Sequence, residues 1–168
     1  MNEKKGVITM QGKPLTLLGP TLKVGDKAPD FTVIAGDLTP VTLANSKGKT
    51  RLISVVPSLD TPVCEAQTKR FDEEAGKLSS QVEVLTISMD LPFAHKRFCN
   101  ANSIKGKTLS DFNAASFGQN FGVLIKELRL LTRAIFVIGP DDKIKYVEIV
   151  PEITNHPNYE KALAAAKS

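Results

Sequence analysis

Residues 57–64, with the sequence PSLDTPVC, hold the side chains best suited to chemistry in this chain. Thr61 is a good helix N-cap, and Pro62 suits the first helical position, where its missing N–H costs nothing. Cys64 then falls in the first helical turn. Unpaired backbone N–H groups and the positive end of the helix dipole stabilise a thiolate there. Because the thiolate is the nucleophilic form of cysteine, the segment predicts a reactive thiol.

Thr61 and Pro57 flank this cysteine in the predicted turn. With Thr61 as the cap, its hydroxyl lies beside the thiolate and can donate a hydrogen bond to an oxygen held next to the sulfur. Pro57 would cover the other side of the sulfur and limit the access of water. The alternative is an ordinary loop shaped by two prolines, with Cys64 as a small buried apolar residue. The order of strand, Pro, Thr, Pro and Cys favours the functional interpretation.

Cys99 is the second cysteine of the chain, and it does not form a Cys-x-x-Cys pair with Cys64. A dithiol oxidoreductase of that type is therefore disfavoured. One interpretation is a resolving cysteine, which attacks an oxidised Cys64 and closes a disulfide. This bond needs Cα atoms within about 7 Å, so residues 91–103 would have to unfold locally if the two helices lie further apart. A spectator thiol on a helix fits the residues equally well.

Arg133 interrupts an apolar, β-branched run that predicts a strand over 131–138. A charged side chain in such a strand needs a partner, because burying an unpaired charge is costly. It could lie at the strand end, facing the Cys64 thiolate and stabilising negative charge that develops on a bound oxygen. The alternative is a surface ion pair on an edge of the sheet.

A zinc site is the main competing chemistry. His95 and Cys99 are four apart on a predicted helix, and Cys64 with His156 could complete a Cys₂His₂ set. However, these spacings match no compact zinc module, and the charged neighbours of His95 predict a solvated helix face. The chain has neither the Gly-x-Ser-x-Gly elbow of hydrolases nor a glycine-rich phosphate loop.

The elements that must position these residues alternate along the chain. Apolar runs predict buried strands over 51–56, 82–88 and 131–138, and a hairpin partner for the last over 143–150. One helix is predicted from Thr61, with an apolar face formed by residues 63, 66, 71, 75 and 78. A second is predicted over 91–101 with Asp90 as its cap, and a third over 159–167 with Asn158 as its cap. Residues 1–20 predict a β-hairpin. This order indicates an α/β protein with a mixed central sheet covered on both faces.

The composition sets the remaining limits. The 168 residues predict one domain over 1–168, with the hairpin as its extension. The net charge of +4 comes from scattered basic residues, so no nucleic-acid partner is expected. No apolar run approaches the roughly 18 residues of a membrane span. We read no signal peptide and expect a cytoplasmic location, where two cysteines are reactive or metal-bound rather than structural.

The segment PSLDTPVC is similar to the P-x-x-x-T-x-x-C signature of the peroxiredoxins. The whole chain resembles one branch of that family, the bacterial thiol peroxidases, which are atypical two-cysteine peroxiredoxins. The segments GKPLTLLGPTLKVGDKAPDFTV, KRFC around Cys99 and LLTRAIFVI carry this wider resemblance.

The resemblance implies a thioredoxin-like fold with an added N-terminal β-hairpin. It implies that Cys64 is the peroxidatic cysteine, Cys99 the resolving one, and Pro57, Thr61 and Arg133 the rest of the peroxide site. The substrates would be hydrogen peroxide and organic hydroperoxides, the reductant thioredoxin, and the assembly a homodimer. No metal, haem or flavin is needed.

A redox sensor or thiol chaperone is the alternative from a different functional class. In such a protein the same disulfide changes conformation and partner binding without sustained catalysis. The rate of peroxide consumption separates the two, because a sensor is oxidised by peroxide but need not turn over with thioredoxin.

Overall fold

The computed structural model describes all 168 residues and contains ten strands. In chain order they are β1 (Glu3–Met10), β2 (Lys13–Leu18), β3 (Thr32–Ile34), β4 (Pro40–Thr42), β5 (Thr50–Val55), β6 (Val82–Ser88), β7 (Lys107–Ser110), β8 (Leu124–Ile125), β9 (Ala134–Ile138) and β10 (Ile144–Ile149). Seven of them form a mixed sheet in the order β10-β9-β5-β6-β7-β3-β4. The β5–β6 and β6–β7 pairs are parallel, and the other pairs are antiparallel. The predicted mixed sheet is thus confirmed.

Four helices accompany the sheet: α1 (Pro62–Ala75), α2 (Pro92–Asn102), α3 (Ser116–Asn120) and α4 (Tyr159–Lys167), with a short 3-10 turn at Leu43–Ser46. Each of the three predicted buried strands matches a strand of the central sheet within a few residues, and α4 begins and ends where predicted. Asn158 caps α4 by accepting a hydrogen bond from the Lys161 backbone N–H at 3.0 Å. No helix combines the length and the apolar character that crossing a membrane requires.

Both faces of the sheet are buried because successive side chains of its central strands alternate between two cores. On β9, Ile135 and Val137 pack into one core together with Phe71 of α1 and with α4. Phe136 and Ile138 point into the other core, which contains a cluster of phenylalanines on β9, α3 and nearby loops. The strand therefore reads as a continuous apolar run, as strands covered on both sides do.

The N-terminal hairpin forms a second sheet in the order β1-β2-β8. Gln11 and Gly12 make its two-residue turn, and both have positive φ, which a tight hairpin turn requires to match the twist of the strands. Ile8 and Leu17 are buried against Ile125 and Ile153. The predicted hairpin is confirmed, with β1 four residues longer at its start than the apolar pattern indicates.

The buried face of α1 differs from the predicted one. Its buried residues are Cys64, Gln67, Thr68 and Phe71, whereas Ala66 is exposed. The inward stripe follows helical spacing from Cys64, but three of its four members are small or polar. Polar side chains are tolerated there because they are hydrogen-bonded: Thr68 Oγ1 donates to the Cys64 carbonyl at 2.8 Å.

The start of α2 also differs from the prediction. Leu91 occupies the N-cap position, Pro92 is the first helical residue, and Asp90 does not cap the helix. The Asp90 carboxylate instead accepts hydrogen bonds from Ser58 Oγ and the Leu59 backbone N–H, both at 2.8 Å. Tertiary partners in the 57–61 loop have therefore outcompeted the local capping bond. The sequence between residues 107 and 120 is too weakly patterned to predict β7 or α3.

Candidate active site

Cys64 is the third residue of α1, as predicted. The hydrogen bond from the Glu65 N–H to the Thr61 carbonyl, 2.9 Å long, is the first backbone bond of the helix. The N–H groups of Val63 and Cys64 therefore belong to the unpaired amides of the helix start, whose partial positive charge stabilises an anion. The Cys64 side chain has no exposed surface and packs against Val56, Leu59 and Phe98.

Arg133 lies directly before β9 and is almost fully buried. Its Nη2 donates a hydrogen bond to the Sγ atom of Cys64 at 3.3 Å. Its Nε donates to the Ile153 carbonyl at 2.8 Å, which fixes the plane of the guanidinium. The position at a strand end facing Cys64 is therefore the observed one, and the surface ion-pair alternative is wrong. A buried cation beside a thiol favours the ionised sulfur by direct charge attraction.

Gln67 is the residue of this site that the sequence reasoning missed. Its Oε1 accepts from Arg133 Nη1 at 2.9 Å, and its Nε2 donates to Ser54 Oγ at 2.8 Å. The side chain is fully buried and joins the arginine to β5. Its spacing of three residues after Cys64 and four before Phe71 places it on one helical stripe, which is the signal that could have identified it.

Thr61 occupies the N-cap position of α1, but its side chain does not cap the helix. Its hydroxyl donates to the Ser58 carbonyl at 3.1 Å, and the residue is exposed. The expected orientation, with the hydroxyl serving an oxygen beside the sulfur, is not the one observed. Pro57 is buried in the loop that leads from β5 to α1. Thr61 therefore has to break its bond to Ser58 before it can serve a ligand.

A groove of about 840 Å³ separates the start of α1 from α2. Its lining includes Leu59, Thr61, Phe93, Arg97 and Phe98. Leu59 and Phe98 also pack against Cys64, so they form the floor between the groove and the sulfur. Movement of these side chains or of the 57–61 loop would open a path from solvent to the thiol.

Cys99 is half-buried on α2, and both cysteines are free. Its Sγ lies 3.2 Å from Thr108 Oγ1 on β7, with which it shares a hydrogen bond. Burial raises the pKa of the Cys99 thiol, the Thr108 bond opposes this shift, and the nearby Asp72 carboxylate adds to it. The two sulfurs therefore have different hydrogen-bond partners, and a bond between them requires each to leave its own.

His95 is buried, so the predicted solvated face for this residue is wrong. Its Nε2 is hydrogen-bonded to Ser88 Oγ at 2.9 Å, while its Nδ1 has no partner. His156, the second histidine of the zinc alternative, is hydrogen-bonded through Nδ1 to Tyr159 OH at 2.8 Å. No three His, Cys, Asp or Glu side chains converge in a way that could hold a metal ion.

Burial lowers the pKa of His95 to about 4, although the nearby Asp90 carboxylate acts in the opposite direction. Since an unfolded histidine titrates near 6.5, the unfolded chain binds more protons between these values, and folding stability falls as the pH is lowered through this window. We expect a loss of about 3 kcal/mol from this residue between pH 7 and pH 4. His95→Gln removes this titrating group. The gap in unfolding free energy, wild type minus variant, should therefore fall by about 3 kcal/mol between pH 7 and pH 4.

Urea unfolding at pH 7, 5.5 and 4 measures this gap. Burial raises the pKa of Asp111 to about 6, so this residue makes the unfolding free energy rise as the pH falls. Because wild type and variant share Asp111, its contribution cancels in the gap between them. A gap that stays constant with pH contradicts the assignment to His95.

The comparisons with known proteins agree with this geometry. Residues 23–163 match the family model described as Redoxin. A thiol peroxidase of Halalkalibacterium halodurans is 63% identical over 162 residues, covering 96% of this chain and 97% of that protein. One of Bacillus subtilis is 58% identical, covering 96% of each chain.

Solved structures agree with the fold. The crystal structure of a peroxiredoxin-like protein from Aquifex aeolicus superposes with a TM-score of 0.90 at 41% identity, covering 99% of this chain and 98% of that one. A thiol peroxidase from Chromobacterium violaceum gives a TM-score of 0.82 at 18% identity, which supports the fold alone, over 94% of this chain and 93% of that one. The thioredoxin-like fold and the family resemblance are thus confirmed. The chain therefore belongs to the Redoxin family, within its group of bacterial thiol peroxidases.

Proposed function

We propose that this protein is a thiol-dependent peroxidase that reduces hydrogen peroxide and organic hydroperoxides at Cys64. The observation that carries the proposal is the hydrogen bond from Arg133 to the Cys64 sulfur, at 3.3 Å, in the first turn of α1. A cation and free helix amides around one buried sulfur are what a nucleophilic thiolate needs. The curated thiol peroxidases at 58–63% identity support the same activity.

In the first step the Cys64 thiolate attacks one peroxide oxygen in line with the O–O bond. The S–O bond forms, the O–O bond breaks, and the leaving oxygen takes up a proton as water or alcohol. Arg133 and the free amides of α1 stabilise the negative charge that moves from sulfur to the leaving oxygen. Cys64 is left as a sulfenic acid.

Thr61 and Pro57 complete the proposed site. Thr61 lines the groove through which a peroxide would arrive, and rotation of its hydroxyl away from the Ser58 carbonyl would let it donate to the peroxide. Pro57 is buried in the same loop, and its proposed role is to limit the access of water to the sulfur. Both roles depend on loop geometry, because neither side chain is hydrogen-bonded to Cys64.

In the second step Cys99 attacks the sulfenic sulfur. The S–S bond forms, the S–O bond breaks, and the hydroxyl leaves as water with the thiol proton. A thioredoxin then reduces the Cys64–Cys99 disulfide by thiol–disulfide exchange. A homodimer in the reducing cytoplasm completes the proposal.

Thiol counting on the whole reduced protein tests this function. One equivalent of hydroperoxide should remove both thiols and give one intramolecular disulfide, and thioredoxin with its reductase should then sustain peroxide consumption. Loss of both thiols without sustained consumption would favour the redox-sensor alternative. Retention of both thiols would contradict the peroxidase assignment.

Gln67→Met should slow peroxide reduction roughly tenfold to a hundredfold, because it removes the acceptor that orients Arg133 towards the sulfur. Methionine is similar in size and leaves the helix packing intact. The measurement is the second-order rate of peroxide reduction, and Phe71→Leu, a core change on the same helix face, is the control for lost stability. Equal rates in Gln67→Met and wild type would contradict an orienting role for Gln67.

A further inference from the structure

The helix that carries Cys64 also holds the end of the segment that carries Cys99. Asp72, two turns after Cys64 on α1, accepts a hydrogen bond from the Gly106 N–H at 2.7 Å. The Lys105 N–H lies 3.2 Å from both oxygens of the same carboxylate. These two amides belong to the link between α2 and β7.

The link is shaped to receive this carboxylate. Helix α2 ends at Asn102, three residues after Cys99. The Cys99 carbonyl accepts hydrogen bonds from the N–H groups of Ser103 and Ile104, and Ser103 adopts a left-handed conformation with φ of 53°. A Cβ atom at Gly106 would lie 3.0 Å from Asp72 Oδ1. The absence of a side chain at this position is therefore what lets the carboxylate approach the amides so closely.

The link is closed when Asp72 binds its amides, and in this closed form the side chain of Cys99 is also held in place. Its sulfur is hydrogen-bonded to Thr108 on β7, whereas the Cys64 sulfur is hydrogen-bonded to Arg133. Besides burial, the Asp72 charge raises the pKa of the Cys99 thiol, so fewer thiolates form while the link is closed. Closing the disulfide requires Cys99 to leave this place.

We propose that Asp72 is a positioning residue for disulfide closure, which holds the 103–106 link shut and whose release limits how fast Cys99 reaches oxidised Cys64. This inference rests on the proposed function, because it concerns the second step of that reaction. Release breaks only hydrogen bonds. The covalent step that follows forms the S–S bond, breaks the S–O bond of the sulfenic acid and releases water.

The size of the effect follows from the fraction of molecules with an open link. Hydrogen bonds to a charged group stabilise the closed form, so removing them raises that fraction and the closure rate with it. We expect closure to be about three- to tenfold faster in Asp72→Ala. Formation of the sulfenic acid should be unchanged, because Asp72 contacts neither Cys64 nor Arg133. A shorter-lived sulfenic acid is also less exposed to a second peroxide, so less sulfinic acid should accumulate.

Rapid mixing of reduced protein with one equivalent of hydrogen peroxide tests the proposal. Samples are quenched at intervals with an alkylating agent and dimedone, and mass spectrometry then counts thiols, sulfenic acid and disulfide. Asp72→Asn keeps one acceptor oxygen and should close at a rate between wild type and Asp72→Ala. Glu73→Ala, which removes the neighbouring exposed carboxylate, is the matched control and should close at the wild-type rate.

Gly106→Ala weakens the same contact from the other side, and it decides the question if Asp72→Ala does not fold. Disulfide closure in Gly106→Ala should be faster than in wild type, but by a smaller factor than in Asp72→Ala. The role of Asp72 is overturned if Asp72→Ala and Gly106→Ala form sulfenic acid at the wild-type rate but close the disulfide no faster than Glu73→Ala. Absence of sulfenic acid and disulfide in the wild type itself would instead overturn the proposed function.

Discussion

Cys64→Ser is expected to lower peroxide consumption by at least about 1000-fold, because a serine hydroxyl is not ionised at neutral pH and cannot replace the thiolate. Neither Arg133 nor the amides of α1 can compensate, since they act on charge that only the attacking sulfur supplies. The measurement is the loss of hydroperoxide in the presence of thioredoxin, thioredoxin reductase and NADPH.

Cys99→Ser is the matched variant for this prediction, because it keeps the nucleophile and removes only the second thiol. It should consume one equivalent of hydroperoxide at the wild-type rate and then stop, with a sulfenic acid on Cys64 that dimedone traps. Sustained turnover in Cys64→Ser would contradict the assignment of the nucleophile. Sustained turnover at the wild-type rate in Cys99→Ser would contradict the assignment of the resolving cysteine.

Arg133→Ala is expected to slow peroxide reduction roughly 100- to 1000-fold, the range measured when one preorganised donor is removed from a site of developing charge. The variant leaves the Cys64 sulfur buried without its hydrogen bond from the guanidinium. Arg133→Lys should recover little of this loss. A lysine cannot contact Cys64, Gln67 and the Ile153 carbonyl together as the planar guanidinium does.

Initial rates of peroxide reduction measure both the loss in Arg133→Ala and the small recovery in Arg133→Lys. The control is Arg51→Lys, which changes the other buried arginine; Arg51 pairs with Asp142 and does not contact Cys64. An Arg133→Ala protein that reduces peroxide at the wild-type rate would remove Arg133 from the mechanism.

The position of Cys64 and the start of its helix could be predicted because their signals are local. Thr61 and Pro62 mark a helix start, and the run before Pro57 marks a strand, so Cys64 is placed by neighbours in sequence. The strands β6 and β9 are recognisable for a similar reason, since both faces are apolar.

Apart from Arg133, the polar contacts of the site depend on partners that are distant in sequence, and the sequence does not predict them. Gln67 and His95 look like surface residues in an apolar pattern, yet both are buried. Gln67 bonds to Ser54 on β5 and to Arg133, and His95 Nε2 bonds to Ser88 on β6. Asp90 has the composition of a helix cap, but it binds the 57–61 loop, which lies far from it in sequence. The hydroxyl rotation of Thr61 likewise depends on the Ser58 carbonyl and not on the residue type.

The floor that Leu59 and Phe98 form over the Cys64 sulfur limits which molecules can reach it. The slender –OOH end of a hydroperoxide needs only a small side-chain displacement to arrive at this atom. Broad electrophiles and tripeptide thiols such as glutathione need a much larger opening. The size of a molecule therefore selects what can reach the Cys64 sulfur before chemical reactivity does.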